Sequence, residues 1–237
     1  MATAGKFINA LTLVDGVGGL ASDYQLPTLN AGNAPVTISA KTVTLSASKN
    51  YDGNTDLSGA VTIGTGIGGE ALSYSGASAN DANVATAGKF INALTLADGT
   101  GGSASNYTLP VLNNANAPVT ISPYAVSLSG SRIYDGSVTV DAGIFTIGTL
   151  VGSETLSLSG SGTVADQHVG NTKTVTLGTL ALGDGTGLAS NYTFTGGMQT
   201  ADITAKTVTL SASKTYDSNT DLSGAVTIGT EIGRAHV

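Results

Sequence analysis

KTVTLSASKNYDGNTD, Lys41–Asp56, is the stretch on which the reading of this chain turns, because it alternates apolar and hydroxyl residues and then breaks into turn chemistry. Val43, Leu45 and Ala47 fall on one side of a period of two, with Thr and Ser on the other, which is the pattern of a half-buried strand. Asp52-Gly53 closes it, since Gly takes the positive φ that tight turns need. Lys41–Thr65 returns at Lys206–Thr230 with two changes, Asn50/Thr215 and Gly53/Ser218. A diverged copy lies between them, so that Tyr134-Asp135-Gly136 aligns with Tyr51-Asp52-Gly53 and with Tyr216-Asp217-Ser218. The flanking stretch ATAGKFINALTL occurs at 2–13 and again at 85–96. A fixed period of 82 to 83 residues predicts small domains strung end to end.

The same alternation runs through Val61/Ile63, Leu72/Tyr74, Leu94/Leu96, Tyr107/Leu109/Val111 and Val119/Ile121. It predicts an all-β fold of six or seven short strands per repeat without a helix, each strand showing a Thr/Ser face to water. Two packed antiparallel sheets in an Ig-like sandwich suit this best, with a β-grasp-like module as the alternative. The apolar phase flips from Val36/Ile38 to Val43/Leu45, from Val119/Ile121 to Val126/Leu128, and from Ile203 to Val208/Leu210. A one-residue slip exchanges the faces of a strand, so each flip marks passage from one core to the next. The expected divisions are 1–40, the closing part of a repeat; 41–123 and 124–205, complete repeats; 206–230, an opening part; and 231–237. The last, EIGRAHV, departs from the copy and reads as translated sequencing adapter, while Met1 stands where the next copy has Val84, as an internal start would place it. On that reading residues 1–40 and 206–230 are complementary half-repeats, expected to associate head to tail.

Composition excludes several functions. A net charge of −7 with no Lys/Arg cluster argues against nucleic acid and anionic membrane, and no apolar run has the length of a membrane span. With no Cys, the repeats rely on sheet packing instead of disulfides. Asp52-Gly53-Asn54-Thr55-Asp56 offers alternating oxygens like the opening of a calcium loop, but Leu57 and Ile63 occupy the positions that need Gly and a bidentate Glu. A looser interdomain calcium site using Asp52, Asp56 or Asp98 is the alternative form of that idea, and turn and cap roles explain these residues better. Gly64–Gly69 has the spacing of a dinucleotide loop yet precedes a strand, where the phosphate would need a helix N-terminus. His168 has no counterpart in the other repeats, so no Ser/His/Asp arrangement is expected, and neither catalysis nor a cofactor is implied. Asn106 and Asn191 fit the glycan-acceptor pattern and are read as turn residues. Tyr24, Tyr107 and Tyr192 repeat in SDY/SNY and suggest internal braces, whereas Tyr51, Tyr134 and Tyr216 are expected over a sheet edge with hydroxyls in water.

The order KTVTLSASKNYDGNTD, a Gly-rich middle, HVGNTKTVTL at 168–177, then ASNYT and a closing VTIS resembles the YDG-type repeats of bacterial filamentous-haemagglutinin-like surface adhesins and exoproteins. The resemblance runs to Thr230, and the third copy departs from the motif at Ser218, a change expected to bear on that turn. It implies an extracellular, cell-surface stalk segment whose partners are its neighbouring repeats. The alternative it leaves is a binding module whose loops around Tyr51 and Gly64 engage a glycan or host protein multivalently.

Overall fold

A computed structural model describes residues 5–229, and the expected adapter segment 231–237 lies outside the described residues. The fold is all-β, and among the described residues helix is confined to single 3-10 turns at Ala21–Asp23, Ala104–Asn106, Ala142–Ile144 and Ala189–Asn191. No helix among the described residues is long and apolar enough to cross a membrane. The chain divides into two compact units, Met1–Tyr124 and Ala125–Val237.

In the first unit the strands are β1 (Lys41–Thr42), β2 (Thr44–Asn50), β3 (Val61–Gly64), β4 (Ser73–Ala79), β5 (Ile91–Ala97), β6 (Tyr107–Thr108) and β7 (Val119–Ser122). β2 is the centre of a three-stranded sheet, antiparallel to β3 and parallel to β7. β4 and β5 form an antiparallel pair, while β1 and β6 pair in parallel. The inward residues of β2, β4, β5 and β7 build the core: Leu45, Ala47, Ala77, Ala79, Ile91, Leu94, Val119 and Ile121, closed by Leu57 from the loop after β2.

After β8 (Tyr124–Ala125), the second unit holds β9 (Leu128–Ile133), β10 (Thr139–Asp141), β11 (Phe145–Ile147), β12 (Leu156–Ser159), β13 (Ser161–Val164), β14 (Gly170–Thr176), β15 (Ala181–Asp184), β16 (Tyr192–Thr193) and β17 (Gln199–Thr204). Six of these form one sheet in the order β10-β13-β14-β17-β9-β11, and β12 pairs antiparallel with β15. Leu128, Val140, Val164, Val175, Leu180, Ala201 and Ile203 are its buried cluster. β12 and β13 occupy the place of β4 but are separated by Gly160. Its φ is 86°, and a Cβ there would come within 2.1 Å of the Thr179 carbonyl oxygen, so glycine lets the chain pass close to the Thr179 backbone between the two strands.

The sheets are mixed, which corrects the expectation of antiparallel sheets throughout. β9 runs parallel to β17 over six residue pairs, from Leu128↔Gln199 to Ile133↔Thr204, as β2 does to β7 over four. Alternation reports which face of a strand is buried and is silent on the direction of its neighbour, so the sequence pattern was equally compatible with both. The burial phase does switch where the sequence phase switches, from Val119 and Ile121 to Val126 and Leu128.

Residues 5–40 and 206–229 repeat parts of this design. The 206–229 stretch forms the hairpin of β18 (Leu210–Ala212) and β19 (Val226–Ile228) in the register of β2 and β3, Leu210↔Ile228 matching Leu45↔Ile63. In 5–40 the Phe7↔Pro35 bridge matches Phe90↔Pro118.

Candidate functional site

The Tyr-Asp-Gly turn follows directly from strand pairing. Beyond β2 the Tyr51 peptide N–H donates to Ser122 O at 2.8 Å, and beyond β9 the Tyr134 N–H donates to Thr204 O at 2.8 Å, so the tyrosine extends the parallel ladder before the chain turns. Gly53 and Gly136 then both take φ of 80°. Ser218 holds the same left-handed conformation at φ 63°, so the turn persists without glycine in the third copy.

Inside the turn sits a cation from the strand itself. The Lys49 ammonium donates to Asp52 Oδ1 at 2.6 Å, to the Asn54 and Asp56 carbonyl oxygens at 2.8 Å each, and lies 3.1 Å from Asn54 Oδ1. Lys214 repeats this with Asp217 Oδ1 at 2.8 Å, Asn219 Oδ1 at 2.7 Å and Asp221 O at 2.7 Å. In the diverged copy Arg132 takes the position, its two terminal nitrogens divided between the Asp135 carboxylate and the Ser137 carbonyl. Of the side-chain oxygens that alternate as a calcium loop would, those of Asp52 and Asn54 are therefore gathered around the ammonium, which satisfies them by hydrogen bonding as well as by charge, while the Asp56 carboxylate accepts from the Ser58 hydroxyl and peptide. Among the described residues no group of three or more His, Cys, Asp and Glu is placed to hold a metal ion. Asp98 lies elsewhere, accepting from the Ala104 N–H at 2.7 Å at the head of a 3-10 turn.

The carboxylates of this turn are held low. Asp56 is lowered chiefly by the Ser58 hydroxyl and peptide, Asp135 by the Ser137 peptide and then Arg132, and Asp217 by Lys214 and then the Asn219 peptide. A depressed folded pKa contributes stability that is complete above the unfolded carboxylate value, near 4, and is lost as pH falls through the lower folded value. Thermal melts are thus expected to drop between pH 5 and 2 at about the unfolded carboxylate pKa and below. Asp135→Asn should melt lower than the parent at neutral pH and show a shallower acid slope; an unchanged slope would place the acid sensitivity elsewhere.

The tyrosines divide differently from expectation. Tyr51 is buried and Tyr134 half-buried, so the reading of a ring over the edge with a wet hydroxyl fails for the first and holds only for the exposed Tyr216. Tyr107 and Tyr192 are buried, each just after a 3-10 turn, and each donates its hydroxyl to a glutamate: Tyr107 to Glu70, and Tyr192 to Glu154 at 2.6 Å. Tyr192 also accepts from the Val151 N–H at 3.1 Å. The Glu70 contact raises the Tyr107 pKa above its ordinary value. Tyr24 is exposed, although the Asp15-to-Ala21 cap beneath it, 2.7 Å, duplicates Asp98-to-Ala104 and Asp184-to-Ala189.

The glutamates were missed by sequence reasoning. The signal was present, since the two complete repeats each carry one Glu, at equivalent places before Leu72 and Leu156. Lys89 was missed also: it is buried, with its ammonium donating to Val84 O at 2.8 Å and Thr86 O at 2.6 Å, and Lys173 pairs with Asp166 at 2.7 Å in the corresponding loop. Thr65, in the glycine-rich stretch weighed as a dinucleotide loop, is buried and donates to the Glu70 carbonyl at 3.0 Å. The His168 peptide donates to Asp166 at 2.9 Å. Asn191 is buried, which leaves no room for a glycan on it. An open depression of about 590 Å³ lies in the second unit, lined among others by Phe145, Ile147, Leu150, Leu156 and Leu158.

These features define a class: a small all-β repeat whose recurring turn is locked by a strand-borne cation and whose core edge is braced by a tyrosine–glutamate bond. A YDG domain is found at residues 113–201, from the loop before β7 into β17. Searches of curated proteins and of solved structures match nothing.

Proposed function

We propose that the chain is a load-bearing stalk segment of a large secreted or cell-surface bacterial adhesin of the filamentous-haemagglutinin-like kind, without catalysis. The observation that carries this is the parallel pairing of the first and last long strands in each complete repeat. Tension applied at the start of β9 and the end of β17 acts along the strand axis, so the interstrand bonds of six residue pairs share the load in shear instead of opening one at a time. The repeated polar motifs support the same reading, since Lys49, Arg132, Glu70 and Glu154 spend their charges on internal bonds. Parallel first and last strands flanked by antiparallel neighbours favour the β-grasp-like alternative for the module over a purely antiparallel Ig-like sandwich.

Because the chain has no cysteine, attachment points can be engineered cleanly. Pulling through Ala125→Cys and Lys206→Cys loads β9 against β17 in shear, whereas Ala125→Cys and Thr195→Cys peels them apart from one end. The shear pair is expected to unfold at a clearly higher force, with a length gain of roughly 25 nm for a chain stretch of this size. Equal, low forces in both geometries would overturn the stalk reading.

The depression lined by Phe145 and Leu158 favours one second reading, a multivalent binding module for a glycan or host protein. Reproducible binding on a glycan array that is lost with Leu150→Lys, at unchanged melting temperature, would support it.

A further inference from the structure

Asp-Gly is the dipeptide at which a protein backbone rearranges most readily, because glycine leaves its peptide nitrogen uncrowded. It stands here at Asp15-Gly16, Asp52-Gly53, Asp98-Gly99, Asp135-Gly136 and Asp184-Gly185. In the rearrangement the glycine nitrogen attacks the aspartate Cγ and gives up its proton, a carboxyl oxygen leaves as water, and a cyclic succinimide forms. Water then reopens the ring, and opening at the α-carbonyl leaves an isoaspartate, with the main chain running through the side chain. One water leaves and one returns, so no oxidant or cofactor is needed.

These turns are restrained in two different ways. At Asp98 and Asp184 the attacking nitrogen is engaged: the Gly99 N–H donates to Gly102 O at 3.1 Å and the Gly185 N–H to Gly187 O at 3.0 Å. Gly16 follows the same plan, donating to Gly19 O at 3.0 Å. In the Tyr-Asp-Gly turns no backbone carbonyl among the described residues accepts from the Gly53 or Gly136 N–H. There the restraint falls on the carboxylate. Asp52 Oδ1 accepts from the Lys49 ammonium at 2.6 Å and from the Asn54 N–H at 3.2 Å. Asp135 Oδ1 accepts from the Ser137 N–H at 2.9 Å and from the Arg132 guanidinium. The two aspartates are 49% and 53% exposed, so burial does not keep water from them, whereas the Lys49 and Arg132 side chains are only 10% and 9% exposed.

We infer that the strand-borne cation, Lys49 or Arg132, guards the Asp-Gly bond of its turn, keeping the aspartate in its ordinary linkage against succinimide and isoaspartate formation. A carboxyl oxygen must take a proton to leave as water, and here that oxygen is occupied by a charged N–H donor, which bonds the ionised carboxylate in preference to the neutral acid. The same bonds resist the side-chain rotation that would carry Cγ onto the glycine nitrogen. The turn thereby keeps a glycine at φ of 80° without the chemical instability that Asp-Gly has in a mobile chain. The inference goes beyond the stalk reading and stands apart from it.

The test ages the full chain for weeks at neutral pH, well below its melting transition, and maps its peptides by fragmentation that tells isoaspartate from aspartate. In the parent, Asp52 and Asp135 are expected to keep their ordinary linkage. Lys49→Met should raise isoaspartate at Asp52 several-fold while Asp98, in the same unit, stays at its parental level. Lys49→Arg should leave Asp52 as in the parent, since a guanidinium holds Asp135. Arg132→Met gives an independent reading at Asp135, with Asp184 of the second unit as its reference. A substitution that merely loosened its unit would raise both Asp-Gly sites of that unit together. Such a joint rise, or no rise at Asp52 and Asp135 in the two Met variants, or a parent that converts at Asp52 as fast as its unfolded chain in denaturant, would overturn the inference.

Discussion

Replacing Ile203 with Ala is expected to cost the second unit about 2–5 kcal/mol, because the side chain is fully buried beneath β17 and its removal leaves a cavity. The same substitution at Ile121, the equivalent residue of β7 and 4% exposed, should cost the first unit a similar amount. At Ile38, which carries the same motif at the same repeat position, the change should stay within about 0.5 kcal/mol in dilute solution. There the side chain is 62% exposed, so its truncation removes little burial. Urea midpoints of the three single variants decide the matter. Equal losses at all three would mean that residues 5–40 are packed as a complete repeat in the monomer.

The second large effect is expected in the cation-filled turn. Lys49→Met keeps the aliphatic stem but removes a charged donor from one carboxylate and two carbonyls, a change worth about 1.5–3 kcal/mol for hydrogen bonds of this charged type. Lys49→Arg should retain most of the stability, since Arg132 fills the equivalent position and reaches both the carboxylate and a carbonyl of its turn. Lys214→Met should cost less than Lys49→Met, because the Lys214 side chain is more exposed and its hairpin carries no cover. Calcium titration of Lys49→Met, followed by its melting temperature, asks whether the emptied oxygen cradle takes a metal ion. The expected result is no recovery, because four ligand oxygens drawn from one short turn fall below the six to eight that calcium prefers.

The tyrosines show how far the residues could be read from the chain alone. Tyr107 and Tyr192 recur in SNY next to a turn, and a recurrent aromatic beside fixed turn chemistry reads as a brace, which is what each becomes by bonding Glu70 or Glu154. Their partners were harder to see, because 37 and 38 residues separate each pair and nothing local links a glutamate before one strand to a tyrosine before another. Tyr51 was misjudged for a related reason. Its place after a strand and before Asp-Gly suggests an edge, yet the backbone continues its pairing to Ser122 and carries the ring inward. Lys49 looked like one more alternating polar residue, and only the closure of the turn around it makes it the centre of the loop.

By itself the sequence determined the repeat, its period, the strand alternation and the turn positions, since these follow from local sterics and from which residues prefer to leave water. Only the tertiary structure decided that the first and last strands run in parallel, that a lysine fills the oxygen loop, and that identical residues are core in one copy and surface in another. Those outcomes depend on groups brought together across the chain. A side chain carries its own preference for burial, but whether anything covers it is settled by the strand laid against it.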